Sequence, residues 1–144
     1  MVPIRVMLSD DYPLVRKGLR SILESSDEYE VCGEADDGTQ TLELAAQLVP
    51  DILILDLSMP PPGGLEVAAR LRNSLPSTKI LVTTMHDSEE MLRAAAATGV
   101  AGYLLKSDAE QCLVKALKAV RSGEPFVSPS FDPTVISAAK ELFG

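Results

Sequence analysis

The chain is short of histidine, cysteine and basic side chains, and each shortage removes a class of function. One histidine (His86) and two cysteines (Cys32 and Cys112) without Cys-x-x-Cys spacing provide neither a zinc site nor a disulfide framework. This cysteine usage suits a reducing, cytoplasmic setting. Thirteen Lys and Arg stand against 21 Asp and Glu, a net charge of -8. This segment is therefore expected to contact neither nucleic acid nor an anionic membrane surface. No apolar run approaches the roughly 18 residues of a membrane span. The opening Met-Val-Pro-Ile-Arg-Val lacks a basic stretch followed by an apolar one, so no leader is expected. Nor does a glycine-rich phosphate loop follow the first apolar segment. Asp10-Asp11-Tyr12-Pro13 stands there instead and would repel a bare phosphate, which disfavours a flavin or nucleotide binder.

What is present is a globular composition: 144 residues, 46% apolar, enough for one domain with a core. Strand and helix patterns alternate five times. Strands are expected at about 4–9, 30–36, 51–56, 79–84 and 101–105, and helices at about 13–25, 38–48, 64–74, 87–98 and 108–122. The first helix should bury Leu14, Val15, Leu19, Ile22 and Leu23. Capping-box spacing is found at Asp87 with Glu90 and at Ser107 with Glu110, and Gly99 and Gly123 mark helix ends. The third and fourth strands are apolar on both faces, as in a parallel sheet covered on both sides. The expected fold is α/β: a flavodoxin-like five-stranded parallel sheet of order 2-1-3-4-5 with helices on both faces. Residues 1–123 form that domain. Residues 124–144, broken by Pro125, Pro129 and Pro133, form a linker or C-terminal helix with Val135, Ala138, Ala139 and Leu142 on one side.

Each apolar strand but the second runs into a polar residue suited to a phosphoryl group: Ser9 with Asp10-Asp11, Asp56, Thr83-Thr84, and Lys106. In an open parallel sheet these carboxyl ends lie along one edge, so the residues converge. Two carboxylates about 4 Å apart repel by roughly 4 kcal/mol at an effective dielectric near 20. Three therefore call for a hard divalent cation, and Mg²⁺ is favoured, held by Asp10, Asp11 and Asp56 with the Ser58 backbone carbonyl as a further ligand. A carboxylate at the Asp56 position can form an acyl phosphate. Lys106 would place an ammonium against the phosphoryl oxygens. Thr84 would donate its hydroxyl, with Thr83 as the rival because adjacent strand residues face opposite ways. Tyr103 could swing between buried and exposed positions, and His86 suits a surface place before a helix. An aspartyl-phosphate hydrolase is disfavoured, because its general acid would stand two residues after Asp56 and Ser58 is there.

These residues resemble the receiver domain of two-component response regulators. The resemblance covers about 1–123 and rests on Asp10-Asp11, Leu-Asp-Leu-Ser-Met-Pro at 55–60, Gly64, Thr84, Tyr103 and Lys106. Thr-Met-His-Asp at 84–87 and Gly-Val-Ala-Gly-Tyr-Leu-Leu-Lys at 99–106 resemble the NarL/LuxR subfamily in particular. So does Ser107, where most receivers carry a proline and a cis peptide. The resemblance implies that Asp56 is the phosphoacceptor of a sensor histidine kinase and that Asp10 and Asp11 hold Mg²⁺. It implies that Lys106 binds the phosphoryl group, and that Thr84 and Tyr103 relay a switch to the face of the fourth helix, fifth strand and fifth helix. That face, or the one made by the first and fifth helices, would form a homodimer or release an effector. Subfamily members continue through a linker into a helix-turn-helix DNA-binding domain, and 124–144 resembles that linker. One departure stands beside the acceptor: Met59-Pro60-Pro61-Pro62-Gly63-Gly64 replaces the family's Met-Pro-Gly-Met-Asp-Gly. The loop should be stiffer at 60–62 and looser at 63–64, altering dephosphorylation and the partner surface. A receiver acting only as an unphosphorylated interaction module is the remaining alternative.

Overall fold

A computed structural model describes residues 2–143; Met1 and Gly144, the outer ends of the two expected segments, lie outside the described residues. The elements run β1 (Ile4–Ser9), α1 (Pro13–Glu24), β2 (Tyr29–Ala35), α2 (Gly38–Leu48), β3 (Ile52–Asp56), α3 (Gly64–Ser74) and β4 (Lys79–Thr84). There follow α4 (Glu89–Ala97), β5 (Gly102–Leu105), a 3-10 turn (Lys106–Asp108), α5 (Ala109–Arg121), β6 (Phe126–Val127) and α6 (Pro133–Leu142). The expected elements all form, within two residues of their expected limits at the helix and strand ends.

The sheet is parallel, of order β2-β1-β3-β4-β5-β6. The five-strand expectation is short by one: Phe126 and Val127 pair with Gly102 and Tyr103. Two residues between Pro125 and Pro129 carry no strand periodicity, so the pairing comes from apolar side chains and a free β5 edge rather than from local propensity. Alternation then divides the core. Ile4, Val6, Leu8, Ile52, Ile54, Leu81 and Leu104 pack under α1 and α5. Met7, Leu53, Leu55, Val82, Tyr103 and Leu105 pack under α2, α3, α4 and α6. β3 is buried at all five positions, as its unbroken apolar run requires.

Helix ends correct several expectations. The N-cap of α4 is Ser88, whose hydroxyl accepts the Met91 N–H at 3.2 Å, rather than Asp87. The residue before α5 is Asp108 and makes no side-chain cap, because Lys106–Asp108 has already turned into 3-10 geometry and carried Ser107 past the capping place. Gly99 and Gly123 do end α4 and α5, at φ +88° and +80°, the left-handed region that glycine enters without Cβ cost. Leu14, expected inside, is 80% exposed on the first turn of α1. α6 buries Ala139 and half-buries Val135 and Ile136, with Phe143 just beyond it, while Ala138 and Leu142 face outward. The Lys106–Ser107 peptide is not cis; the cis bond in the described residues is Pro61–Pro62, in the departing loop.

Candidate functional site

The carboxyl ends of β1, β3 and β5 bring Asp10, Asp11, Asp56 and Lys106 together, and β4 adds Thr83 on the same side. Asp10 follows β1, and its Oδ1 accepts the Tyr12 N–H at 2.9 Å. The Arg16 guanidinium donates to the Asp10 carbonyl at 2.5 Å and pairs with Glu34 at 3.0 Å. Arg20 holds Glu34 from its other side at 2.7 Å. Burial works against the Glu34 charge, but Arg20 and Arg16 outweigh it and hold the carboxyl below its usual range. This bracing of Asp10 had no sequence signal, because the partners lie on β2 and α1. Asp56 ends β3 fully buried, its Oδ1 accepting the Ser58 N–H at 2.9 Å. A Cβ on Gly64 would stand 2.7 Å from the Asp56 carbonyl, so only glycine lets α3 start this close to the end of β3.

Lys106 places its ammonium 2.9 Å from Asp10 Oδ2 and 3.3 Å from Asp56 Oδ2. Burial works against its charge, but Asp10 and Asp56 outweigh that and hold the lysine protonated above its ordinary range. Asp56 fares differently. Loss of water raises its pKa, Asp10 adds to the rise, and the Ser58 N–H and Lys106 only partly offset it. The Lys106 ammonium also lies 5.8 Å from the Tyr12 ring centroid.

Ligand oxygens of Asp10, Asp11 and Asp56 lie within 4.8 Å of one another. Asp10 Oδ2 and Asp56 Oδ2 face only the Lys106 ammonium, and Asp11 Oδ1 meets no hydrogen-bond donor. Three buried, donor-poor carboxylate oxygens from three residues suit a small hard cation.

The two threonines divide as strand alternation demands. Thr83 stands opposite Asp56 in register, lines a cavity with Lys106, Val15, Leu19 and Ala109, and leaves its buried hydroxyl without a partner. Thr84 faces the other side, where its hydroxyl accepts the His86 N–H at 3.1 Å. Tyr103 shares that side. It is fully buried, its hydroxyl donates to the His86 carbonyl at 3.1 Å, and its ring meets Phe131 edge-on at 5.7 Å. His86 itself is exposed. Tyr103 is thus already inward, and the edge of β5 is covered by β6 while α6 packs on α4. The α4–β5–α5 face is occupied by the chain's own C-terminal segment.

The departing loop also has a seat: a Cβ on Gly38, at the start of α2, would collide with the Pro62 carbonyl. Ser58, two residues after Asp56, is exposed and brings no second acid. The cysteines are both free. Among the described residues no helix is long and apolar enough to cross a membrane.

Residues 6–118 match the family described as response regulator receiver domain. A transcriptional regulatory protein of Bacillus subtilis, YxjL, is 40% identical over 121 residues, covering 84% of this chain and 56% of that protein. The nitrate/nitrite response regulator protein NarL of Escherichia coli is 36% identical over 138 residues, covering 96% of this chain and 64% of that protein. A solved two-component response regulator of the LuxR family from Aurantimonas sp. superposes with a TM-score of 0.85 at 33% identity, over 97% of both chains. The chain spans 56% and 64% of the two curated relatives.

Proposed function

This chain belongs to the response regulator receiver family, in its NarL/LuxR branch, and we propose that Asp56 is its phosphoacceptor, charged by a sensor histidine kinase. One observation carries the reading: the buried Asp56 carboxylate shares a pocket with Asp10, Asp11 and the Lys106 ammonium. Members of this family signal rather than turn over substrates. The only chemistry proposed for this chain is its own phosphorylation and dephosphorylation, not hydrolysis of a separate substrate.

Asp10, Asp11 and Asp56 would hold Mg²⁺, with the Ser58 backbone carbonyl as a further ligand. That cation neutralises carboxylate and phosphoryl charge when bound. An Asp56 oxygen forms a bond to phosphorus as the bond from phosphorus to the donor imidazole nitrogen breaks, and the electron pair leaves on that nitrogen. Lys106 lies where its ammonium can shift from the Asp56 carboxylate to the new phosphoryl oxygens. Thr84, which faces away from Asp56 here, would turn its hydroxyl toward the new phosphoryl oxygens, and that movement with Tyr103 would relay the change to α4 and the C-terminal segment. The output is control of homodimerisation or of a DNA-binding effector in a longer, cytoplasmic regulator, with 124–144 leading toward it. The -8 charge keeps this segment itself off nucleic acid.

The test uses radiolabelled acetyl phosphate as donor, with and without Mg²⁺. Incorporation that requires Mg²⁺, is released by hydroxylamine as an acyl phosphate is, and disappears in Asp56→Asn supports the reading. Equal labelling of the variant overturns it.

A further inference from the structure

Lys106 is gripped from both sides by a residue of the C-terminal segment. β6 ends at Val127, and the next free N–H of β5, that of Leu105, is accepted by the Ser128 hydroxyl at 3.1 Å. The same hydroxyl donates to Asp108 Oδ2. Leu105 and Asp108 flank Lys106 and Ser107, so one serine ties the backbone before the lysine to the carboxylate after it. Ser128 is fully buried, and its own N–H donates to the Tyr103 carbonyl at 2.9 Å. The other Asp108 oxygen accepts the Ser130 hydroxyl at 2.8 Å. The Lys106–Asp108 turn therefore has its geometry set by residues that lie twenty or more positions later in the chain.

The need for such a clamp follows from the site. The Lys106 side chain crosses from β5 over β4 to reach Asp56 on β3. A long, flexible side chain reaching that far holds its ammonium in place only if its backbone is fixed. A 3-10 turn is a weak fixture by itself, being short and poorly hydrogen-bonded. The turn has Ser107 at the position where most of the family, by the resemblance noted above, carry proline, so no ring stiffens it. Ser128 and Asp108 supply the missing constraint through hydrogen bonds.

We propose that Ser128, acting with Asp108, is a positioning residue for Lys106, so that the segment 124–143 is part of the phosphoryl site's framework and not a passive linker. The proposal rests on the assignment of Asp56 as phosphoacceptor and adds a residue to it. Ser128 touches neither the phosphoryl group nor the metal; it acts on rate by fixing where the ammonium stands.

The experiment compares the full chain with Ser128→Ala and Asp108→Ala. Asp108→Ala is the second variant because it opens the clamp from the turn side while keeping Ser128 and its bond to the Leu105 N–H. Two quantities are read below the melting range: the rate of acyl phosphate formation from acetyl phosphate at saturating Mg²⁺, and the Mg²⁺ concentration that half-saturates a tyrosine fluorescence or melting response. The lysine contacts the phosphoryl group, while the metal contacts the three aspartates. Loss of positioning therefore lowers the rate at least about fivefold in both variants without weakening Mg²⁺ binding. An unchanged rate in both overturns the proposal. So does a parallel loss of rate and Mg²⁺ affinity, which marks general damage to the fold. If the unmodified chain forms no acyl phosphate, the phosphoacceptor assignment fails and this proposal falls with it; if it forms one and both variants match it, only this proposal fails.

Discussion

The Lys106 ammonium stands 3.3 Å from the Asp56 carboxylate although β4 lies between their strands. The pair is unequal. The lysine gains charge stabilisation from two aspartates, while the aspartate, out of water beside Asp10, favours its protonated form more than a free carboxyl does.

Asp56→Asn should therefore stabilise the metal-free chain, by about 1 kcal/mol. A carboxyl whose folded pKa lies above its unfolded value makes the native state bind more protons in the window between the two. Stability then falls as pH rises from the ordinary value of 3.8 through the raised folded one. The variant should lose that part of the slope. Urea titrations of both chains at several pH values above 4 check it, and an unchanged slope would show that Asp56 is not strained by its burial.

Lys106→Ala should have the opposite effect. It leaves Asp10 and Asp56, 1% and 0% exposed, facing each other without a cation, at a cost of about 2 kcal/mol in the metal-free chain. Saturating Mg²⁺ should raise the melting temperature of this variant more than that of the unsubstituted chain, because the metal then carries all the neutralisation. Melting curves with and without Mg²⁺ measure both.

Sequence pattern reached the fold and the site by different routes and stopped at different places. β3 and β4 were legible because buried strands of a parallel sheet must be apolar throughout. Asp56 and Lys106 were legible because they end such strands, and topology then dictated their meeting. Thr83 and Thr84 could be assigned to opposite sides in principle, but which side held Asp56 depended on register that only the coordinates supply. β6 was invisible because two residues have no period. The Arg16–Glu34–Arg20 brace, and the Ser128 grip on the lysine turn, join residues remote in sequence through ordinary polar types that are as common on surfaces. Tyr103, expected to swing between buried and exposed positions, is buried here, and its cover was not legible because Phe131 lies in a stretch that read as broken by prolines.

Tyr103 should ionise late. Burial raises its pKa to about 12. The folded chain holds this proton more tightly than the unfolded one, so stability falls as pH rises from 10 toward 12. In an ultraviolet difference titration, Tyr103→Phe should remove amplitude from the late end. In Phe131→Ala the late phenol should move down as water reaches the ring.

Val49 offers a test of the fold apart from the site. It closes α2 at φ +44°, a left-handed conformation that costs a β-branched residue about 1–2 kcal/mol. It is held there by Arg5, whose guanidinium donates to the Leu48 and Val49 carbonyls at 2.7 and 3.2 Å. The side chain is 45% exposed, so little packing is lost on removal. Val49→Gly should raise stability by about 1 kcal/mol, a shift of about 3 °C in melting temperature. A decrease would mean that the valine packs in a way its exposure conceals.

The most direct measurement is the mass of the intact chain after incubation with acetyl phosphate and Mg²⁺, followed by peptide mapping. A gain of one phosphoryl group confined to the peptide holding Asp56, and lost when Mg²⁺ is chelated before donor is added, is the predicted result. A chain that gains no mass under saturating donor and metal, or gains it on a peptide lacking Asp56, contradicts the assignment of this pocket.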